Sequence, residues 1–291
     1  MRIRPAVHAG SFYDASPAAC RRHVEQLLAS VELPGDLPAR RFGGLVPHAG
    51  WVYSGRLAAM TFKALLAGGD VETVVLFGAD HTGAVRMGEV WADGAWQTPL
   101  GQAAVDEGLA AALLAGCELL RANPAAHAHE HSLEVQAPIL QTLAPAAKIV
   151  PIAVPPTEQA VAIGQAVGRT LASQAAGRAC VVGSTDLTHH GGHFGHSGGH
   201  GEKSESFARA NDRRMLDLIE AMNAAAVVPE AMRRHNACGA GAIAAAIAAT
   251  HEMGASAGRV LAYTNSYEIV HEQAPHDLDD TTVGYASVIF V

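Results

Sequence analysis

Short apolar runs alternate with longer amphipathic segments along most of this 291-residue chain, and that order limits the fold more than any other feature. Runs of small and branched apolar residues predict buried strands at 43–47, 73–78, 148–154 and 179–183. Apolar residues at helical spacing predict helices at 54–66, 102–114, 158–175, 204–222 and 239–250, and another that begins near 132. Ser54 is the predicted cap of the first of these helices. Such alternation is typical of parallel strands joined by crossover helices. We therefore predict one α/β domain over residues 1–291, with a mostly parallel or mixed sheet flanked by helices.

Three features refine this prediction. Pro151 lies inside the third apolar run, and because proline cannot donate a hydrogen bond to a neighbouring strand, we expect an edge strand or a bulge there. The segments 259–263 and 283–291 predict two final strands that add a mixed or antiparallel edge. Between 189 and 201, six glycines and five histidines predict a flexible loop whose further histidines, His190 among them, are mostly exposed.

The composition argues against several classes of protein. The formal net charge is −8 and no cluster of Lys and Arg exceeds a pair, so we expect no nucleic-acid partner. The run of Ala and Ile at 240–249 is too short to span a bilayer, and the charged N-terminus lacks the apolar stretch of a signal peptide, so we expect no membrane association. Four cysteines without a closely spaced pair predict free thiols in a cytoplasmic protein.

Histidine is unusually abundant, since the 16 histidines outnumber the seven Phe, five Tyr and three Trp combined. Three of them follow predicted strands: His48, His81 and His189, the last with Asp186 beside it. Any one of them could simply hydrogen-bond a loop carbonyl. Because ligands of open α/β sheets bind beyond the carboxyl ends of the strands, we expect all three to share one site. Two imidazoles with one anionic ligand would suit Fe(II) or catalytic zinc.

Cys238 is the candidate for the anionic ligand. It lies in a polar turn just before a helix rich in small residues, where the helix dipole and a metal would both favour a thiolate. A free cysteine is also commonly just a small buried apolar residue. We assign that ordinary role to Cys20, Cys117 and Cys180.

The polar segment 126–134 carries three more histidines at alternate positions. We consider a role in the pocket for His131, whereas His127 and His129 are predicted to be solvated. Glu134 would favour the start of the following helix through its negative charge.

Seven short motifs, in this order and spacing, resemble the Memo family, which includes the B component of the AmmeMemoRadiSam set. They extend over essentially the whole chain: His8-Ala-Gly-Ser-Phe-Tyr13, Pro47-His-Ala-Gly50 with Tyr53-Ser-Gly55, Gly78-Ala-Asp-His81, Thr98-Pro-Leu-Gly101, Glu130-His-Ser-Leu-Glu134, Ser184-Thr-Asp-Leu-Thr-His189 and Cys238-Gly239.

The resemblance implies a single domain similar to the LigB-type class III extradiol ring-cleaving dioxygenases, which hold Fe(II) with two His and a Glu. By motif, His48 and His81 would be the imidazole ligands, and Cys238 would stand where the dioxygenases have their carboxylate. Memo-type proteins are associated with iron and copper binding and with redox chemistry. A functional association with the other AmmeMemoRadiSam components is implied in the same way.

The resemblance also assigns the acid/base position to His189, with Asp186 beside it and His131 nearby. This chain departs from the family pattern at Ala79 and Asp80, where relatives usually have Pro and then Asn or Ser. We therefore expect the Asp80 carboxylate to hydrogen-bond a ligand histidine or to raise the affinity for a hard cation.

Three functions follow from these residues and remain open at this point. The first is a metal-dependent, dioxygenase-like oxidoreductase acting on an unknown small molecule, with Fe(II) favoured and copper or zinc as alternatives. The second is a non-catalytic metal-binding or peptide-binding module that keeps an old active-site pocket. The third is a zinc hydrolase, because two imidazoles, a thiolate and a water also make a competent zinc site.

Overall fold

The computed structural model describes residues 1–66, 71–194, 202–273 and 281–291. Its strands are β1 (Ile3–Arg4), β2 (Gly43–Val46), β3 (Thr73–Gly78), β4 (Gly88–Val90), β5 (Ala95–Thr98), β6 (Gly101–Ala104), β7 (Leu120–Ala122), β8 (Lys148–Ala153), β9 (Ala179–Ser184), β10 (His189–His190), β11 (Gly258–Asn265) and β12 (Thr282–Phe290). Its α-helices are α1 (Pro17–Ala29), α2 (Trp51–Leu66), α3 (Glu107–Gly116), α4 (Ala137–Leu143), α5 (Gln159–Gln174), α6 (Glu202–Glu220), α7 (Ala224–Arg234), α8 (Ala240–Glu252) and α9 (Ser266–Gln273).

The main sheet has the predicted strands at its centre. Its order is β10-β12-β2-β9-β3-β8-β4-β7, and β11 also pairs with β12. Strands β2, β9, β3 and β8 are parallel to one another. Strand β12 runs antiparallel to both β2 and β11, and β4 runs antiparallel to β8. Strands β1, β5 and β6 form a separate small sheet. The predicted α/β class, with a mixed sheet flanked by helices, is confirmed.

Helices cover both faces of the central strands, because successive side chains of a strand point to opposite sides. In β3, Val75 and Phe77 pack in a cluster with residues of α5 and α8. Val74 and Leu76 pack in a second cluster with residues of α1, α2 and α4. With both faces buried, these strands are continuous apolar runs rather than alternating ones.

Small residues allow α5 and α8 to approach each other closely. A Cβ atom added at Gly164 would lie 2.2 Å from the carbonyl oxygen of Ala245, and one at Gly168 would lie 2.3 Å from that of Ala249. Every residue of α8 from Ala240 to Thr250 is buried. The high alanine content of the chain therefore serves, in part, a tightly packed pair of helices.

The helix starts predicted at 54 and 102 were wrong. Helix α2 begins at Trp51, and Ser54 is not its cap, because its hydroxyl donates to a backbone carbonyl five residues earlier. Residues 102–104 belong to β6, and α3 begins only after Asp106, whose carboxylate accepts a hydrogen bond from the Leu109 backbone N–H. At α3 this side-chain cap, rather than apolar periodicity, marks where the helix starts.

Pro151 does not mark an edge, since β8 lies between β3 and β4. Pro151 lies just beyond the residues of β8 that pair with β4. Its carbonyl still accepts a hydrogen bond from the Trp91 N–H, and its nitrogen carries no hydrogen to donate. Helix α7 was not predicted, and it contains Pro229, a residue that usually ends a helix. The helix expected from 132 begins at Ala137, after a 3-10 turn.

The Gly/His segment is not a loop throughout. His189 and His190 form β10 against β12, and residues 195–201 lie outside the described residues. Among the helices that are described, none is both long and apolar enough to cross a membrane.

Candidate metal centre

The candidate site lies at the carboxyl ends of three adjacent strands. His48 follows β2, His81 follows β3 and Asp186 follows β9, which lies between them. His131, from the irregular segment before α4, joins them. Each of three histidines, His48, His81 and His131, offers one ring nitrogen, and these three atoms lie within 4.8 Å of one another. This group of side chains could therefore hold a metal ion.

His48 is buried, and its ring is fixed by a serine. Its Nδ1 lies 3.0 Å from the Ser184 hydroxyl, which donates its own proton to the Ser132 carbonyl at 2.7 Å. The serine oxygen therefore accepts a hydrogen bond from Nδ1–H. Nε2 then carries no hydrogen, and its lone pair can bind a metal. Nε2 lies 3.1 Å from the Cys238 sulfur. Burial, together with the neighbouring His81 and His131, holds the pKa of His48 well below its ordinary value, so the ring is neutral.

Cys238 is held on the same side of the site by the loop after β9. Its backbone N–H donates to the Asp186 carbonyl at 3.2 Å, and the Asp186 N–H points at its sulfur from 3.3 Å. Gly239 follows as the cap of α8, and an added Cβ there would lie 2.4 Å from the Ser184 carbonyl oxygen. Burial raises the pKa of the Cys238 thiol, against the opposing effect of its hydrogen bond with His81.

Glu130 fixes His81 through both carboxylate oxygens. One oxygen accepts the His81 backbone N–H at 2.7 Å, and the other lies 2.9 Å from His81 Nδ1 and accepts the Ser132 N–H at 2.9 Å. Burial opposes ionisation of this carboxylate, but the bonds from His81 and Ser132 outweigh it and lower the pKa of Glu130 to about 2. Burial alone would also lower the pKa of His81. The bonds of His81 with Cys238 and Glu130 outweigh burial, and the net result is a pKa raised to about 10.

His131 lies between the other imidazoles and the N-terminal segment. Its ring centroid is 4.4 Å from that of His81 and 4.6 Å from that of Phe12. The Glu130 carboxylate is 3.6 Å from its Nδ1, too far for a hydrogen bond. Burial and the nearby His81 lower the pKa of His131 to about 4, so it is a neutral imidazole at neutral pH.

A buried ion pair holds the N-terminal segment beside His131. The Arg4 guanidinium donates to Glu134 at 2.6 Å, and both side chains are 1% exposed. The same carboxylate accepts the Tyr13 hydroxyl and the His8 backbone N–H. Glu134 therefore does more than favour the start of a helix.

The side chains of Asp186 and His189 are each held by a backbone group. The Asp186 carboxylate accepts the His48 backbone N–H at 2.7 Å, and burial raises its pKa to about 7. His189 Nδ1 lies 3.0 Å from the Leu187 carbonyl, which leaves Nε2 free to accept a proton. Burial lowers the pKa of His189, and the Leu187 bond opposes this only in part. His189 adds to the lowering of the pKa of His48, and His81 adds to that of His189.

Three sequence-based expectations about polar residues were wrong. Asp80 does not hydrogen-bond a ligand histidine, because its carboxylate accepts the backbone N–H groups of Ala84 and Val85 in its own loop. A higher affinity for a hard cation stays a prediction. His127 is fully buried rather than solvated, with Nε2 2.9 Å from the Glu89 carbonyl. His190 is 3% exposed. His129 is exposed, as predicted.

The sequence contained a signal for one residue that we did not assign. Glu130 belongs to the Glu130–Glu134 motif and lies directly between His129 and His131, yet its role as the partner of His81 depends on a contact 49 residues distant in sequence. Ser184 is the last residue of β9, a position from which a side chain can reach the ligand end of a neighbouring parallel strand.

The side chains gathered here fit a transition metal. Imidazole and thiolate ligands suit iron, copper and zinc, whereas magnesium and calcium prefer oxygen ligands. The fold and the site together define an α/β protein with a candidate metal centre, built from three histidines beside one thiol, at the carboxyl edge of its parallel strands.

Comparison with known proteins identifies the family. The model of the Memo-like protein family matches residues 4–289, and this chain belongs to that family. It is 36% identical over 301 residues to a MEMO1 family protein of Methanopyrus kandleri, covering 100% of this chain and 99% of that protein. It is 35% identical over 293 residues to a MEMO1 family protein of Methanothermobacter thermautotrophicus, covering 97% of this chain and 98% of that protein. It is 34% identical over 296 residues to one of Pyrococcus abyssi, covering 98% of each chain.

Proposed function

We propose that this chain binds one divalent transition metal ion and acts as a dioxygenase-like oxidoreductase, with His48, His81 and Cys238 as the ligands. One observation carries the proposal. Nδ1 of each ligand histidine is already engaged, by Ser184 and by Glu130, and the other side of each ring is turned toward the Cys238 sulfur. Such outer hydrogen bonds fix the tautomer and orientation of metal-binding histidines.

Cys238 is favoured over His131 as the third ligand. The sulfur lies 3.1 Å from His48 Nε2, and a thiolate would supply the negative charge that a third imidazole lacks. His131 packs against Phe12 at the N-terminal segment, which suits a group that faces the substrate. We favour Fe(II), since two imidazoles and an anionic ligand that leave open positions are typical of non-haem iron, and the softer thiolate also admits copper or zinc.

A bound iron or copper ion would supply Lewis acidity and one-electron redox chemistry. The protein would supply the proton transfer. His189, neutral and with Nε2 free, would accept a proton from a phenol or diol hydroxyl. Asp186 would act as a positioning residue, because its carboxylate holds the backbone of His48. His131 would orient the substrate as a neutral imidazole.

The test is anaerobic loading of tag-free protein with Fe(II), followed by a catechol and dioxygen. We expect the absorbance of a ring-fission product, and in His189→Ala a rate at least about a hundredfold lower with unchanged iron content, because proton transfer by a positioned side chain contributes roughly 10²–10⁴-fold. A matched control is His251→Ala, an exposed histidine near the end of α8. Full iron content without turnover across a panel of diols would instead support a non-catalytic metal-binding module.

We also propose a reducing, cytoplasmic location and a functional association with the other AmmeMemoRadiSam components. All four cysteines are free, which supports the first of these. The second is supported only by membership of the family.

A further inference from the structure

A cavity lies at the opposite end of the sheet from the candidate metal centre. It has a volume of about 230 Å³ and opens beside the amino ends of β2 and β9. Apolar side chains from five different parts of the fold form its walls, namely Phe42, Leu65, Val71, Leu171 and Met253. It shares no lining residue with the metal centre.

Two arginines give this cavity a positive charge. Arg40 and Arg41 both line it, and none of the described residues that line it is acidic. The guanidinium of Arg40 lies 4.5 Å from the centre of the Phe42 ring. Arg41 donates from one terminal nitrogen to the Pro38 carbonyl at 2.6 Å. Within the described residues, neither arginine takes part in an ion pair, although the chain carries a net charge of −8.

A carboxylate placed in the cavity would pair with the guanidinium groups of the two arginines that line it, because the planar guanidinium matches the two oxygens of a carboxylate. The apolar walls would cover the remainder of such a ligand.

We propose that this cavity binds a small amphipathic monoanion, an aromatic carboxylic acid of about ten non-hydrogen atoms. The volume corresponds to that of roughly eight water molecules at about 30 Å³ each, which limits the ligand to one ring and a short acidic side chain. The Phe42 ring, which also lines the cavity, supplies an aromatic surface for that ring. The proposal is independent of the metal centre.

The test is a titration of the full-length chain with phenylacetate, followed by ligand-observed NMR. We expect saturable binding of one molecule per chain with a dissociation constant below about 10 mM. Phenylacetamide, which has the same shape without the charge, is expected to bind at least about tenfold more weakly. Absence of saturation by phenylacetate, or equal affinity for the amide, would overturn the proposal.

Three variants locate the binding. Arg41→Gln should weaken phenylacetate binding at least about tenfold, and Ala172→Phe, on an exposed lining residue of α5, should block the cavity without touching the guanidinium. Arg178→Gln is the matched control, an exposed arginine near the same end of the sheet whose partner is Glu72. Thermal melting verifies that each variant is folded. Unchanged affinity in both Arg41→Gln and Ala172→Phe would show that the acid binds elsewhere.

Discussion

At the scale of single residues, the site depends on side chains that would not touch a metal themselves. Glu130 accepts hydrogen bonds from the ring and the backbone of His81 and from the backbone N–H of Ser132. The Ser132 carbonyl in turn accepts a hydrogen bond from the Ser184 hydroxyl. Ser184 in turn orients His48. One buried carboxylate is thus connected to both proposed imidazole ligands through hydrogen bonds shorter than about 3.1 Å.

Replacing Glu130 should therefore weaken metal binding more than it weakens the fold. In Glu130→Gln we expect a loss of about 10- to 100-fold in zinc affinity, measured by competition with a chromophoric chelator, because outer-sphere partners of ligand histidines typically contribute that much. Glu118→Gln changes an exposed glutamate and should leave the affinity unaltered. A Glu130→Gln protein with wild-type affinity would show that His81 is oriented by something else.

His127 should make the stability of the metal-free protein depend on pH. Burial lowers its pKa to about 4, with the nearby Arg4 acting in the same direction and the Glu89 carbonyl opposing it. Between pH 6.5 and 4 the unfolded chain therefore binds a proton that the folded chain does not, so stability falls as the pH falls. The contribution of this group is roughly 3 kcal/mol over that window.

Urea unfolding at a series of pH values measures this effect. His127→Gln keeps a side-chain donor for the Glu89 carbonyl but cannot titrate, so its stability should decline less steeply between pH 6.5 and 4 than that of the wild type. His251→Gln, at an exposed position, should retain the wild-type slope. Identical slopes for His127→Gln and the wild type would contradict a neutral, buried His127.

At the scale of secondary-structure elements, the closest packing is between α5 and α8. Their contact leaves no room for a side chain at Gly164 or Gly168, since each Cα faces a backbone carbonyl of α8. Helix α8 also begins at the loop that carries Cys238, so the position of this helix sets the position of the sulfur. Packing in the middle of the fold is in this way linked to the geometry of the site.

Gly168→Ala should force the two helices apart. We expect a loss of about 1–3 kcal/mol in the free energy of unfolding, measured in urea, because the new methyl group would lie 2.3 Å from the Ala249 carbonyl oxygen. Gly108→Ala is the control, in the first turn of α3, where the nearest atom to a Cβ is 3.7 Å away. That change should be neutral or stabilise by up to about 1 kcal/mol. Similar losses in the two variants would contradict the close helix contact.

At the scale of the whole molecule, the fold was largely predictable and the site only in part. Strands β2, β3 and β9 are buried on both faces and so are marked by continuous apolar runs, and His48 and His81 follow two of them directly. The partners of those histidines lie on segments without periodicity, and their contacts span 49 and 136 residues of sequence. His127 was misassigned for the same reason, since its burial depends on a tertiary contact with Glu89.

The central claim is that His48, His81 and Cys238 bind one metal ion, and zinc X-ray absorption spectroscopy on the tag-free, full-length protein tests it most directly. We predict one sulfur at about 2.3 Å and nitrogen or oxygen ligands at about 2.0–2.1 Å, with the sulfur lost in Cys238→Ala and retained in Cys117→Ala. A wild-type spectrum with nitrogen and oxygen ligands alone, or a sulfur that persists in Cys238→Ala, would contradict this site.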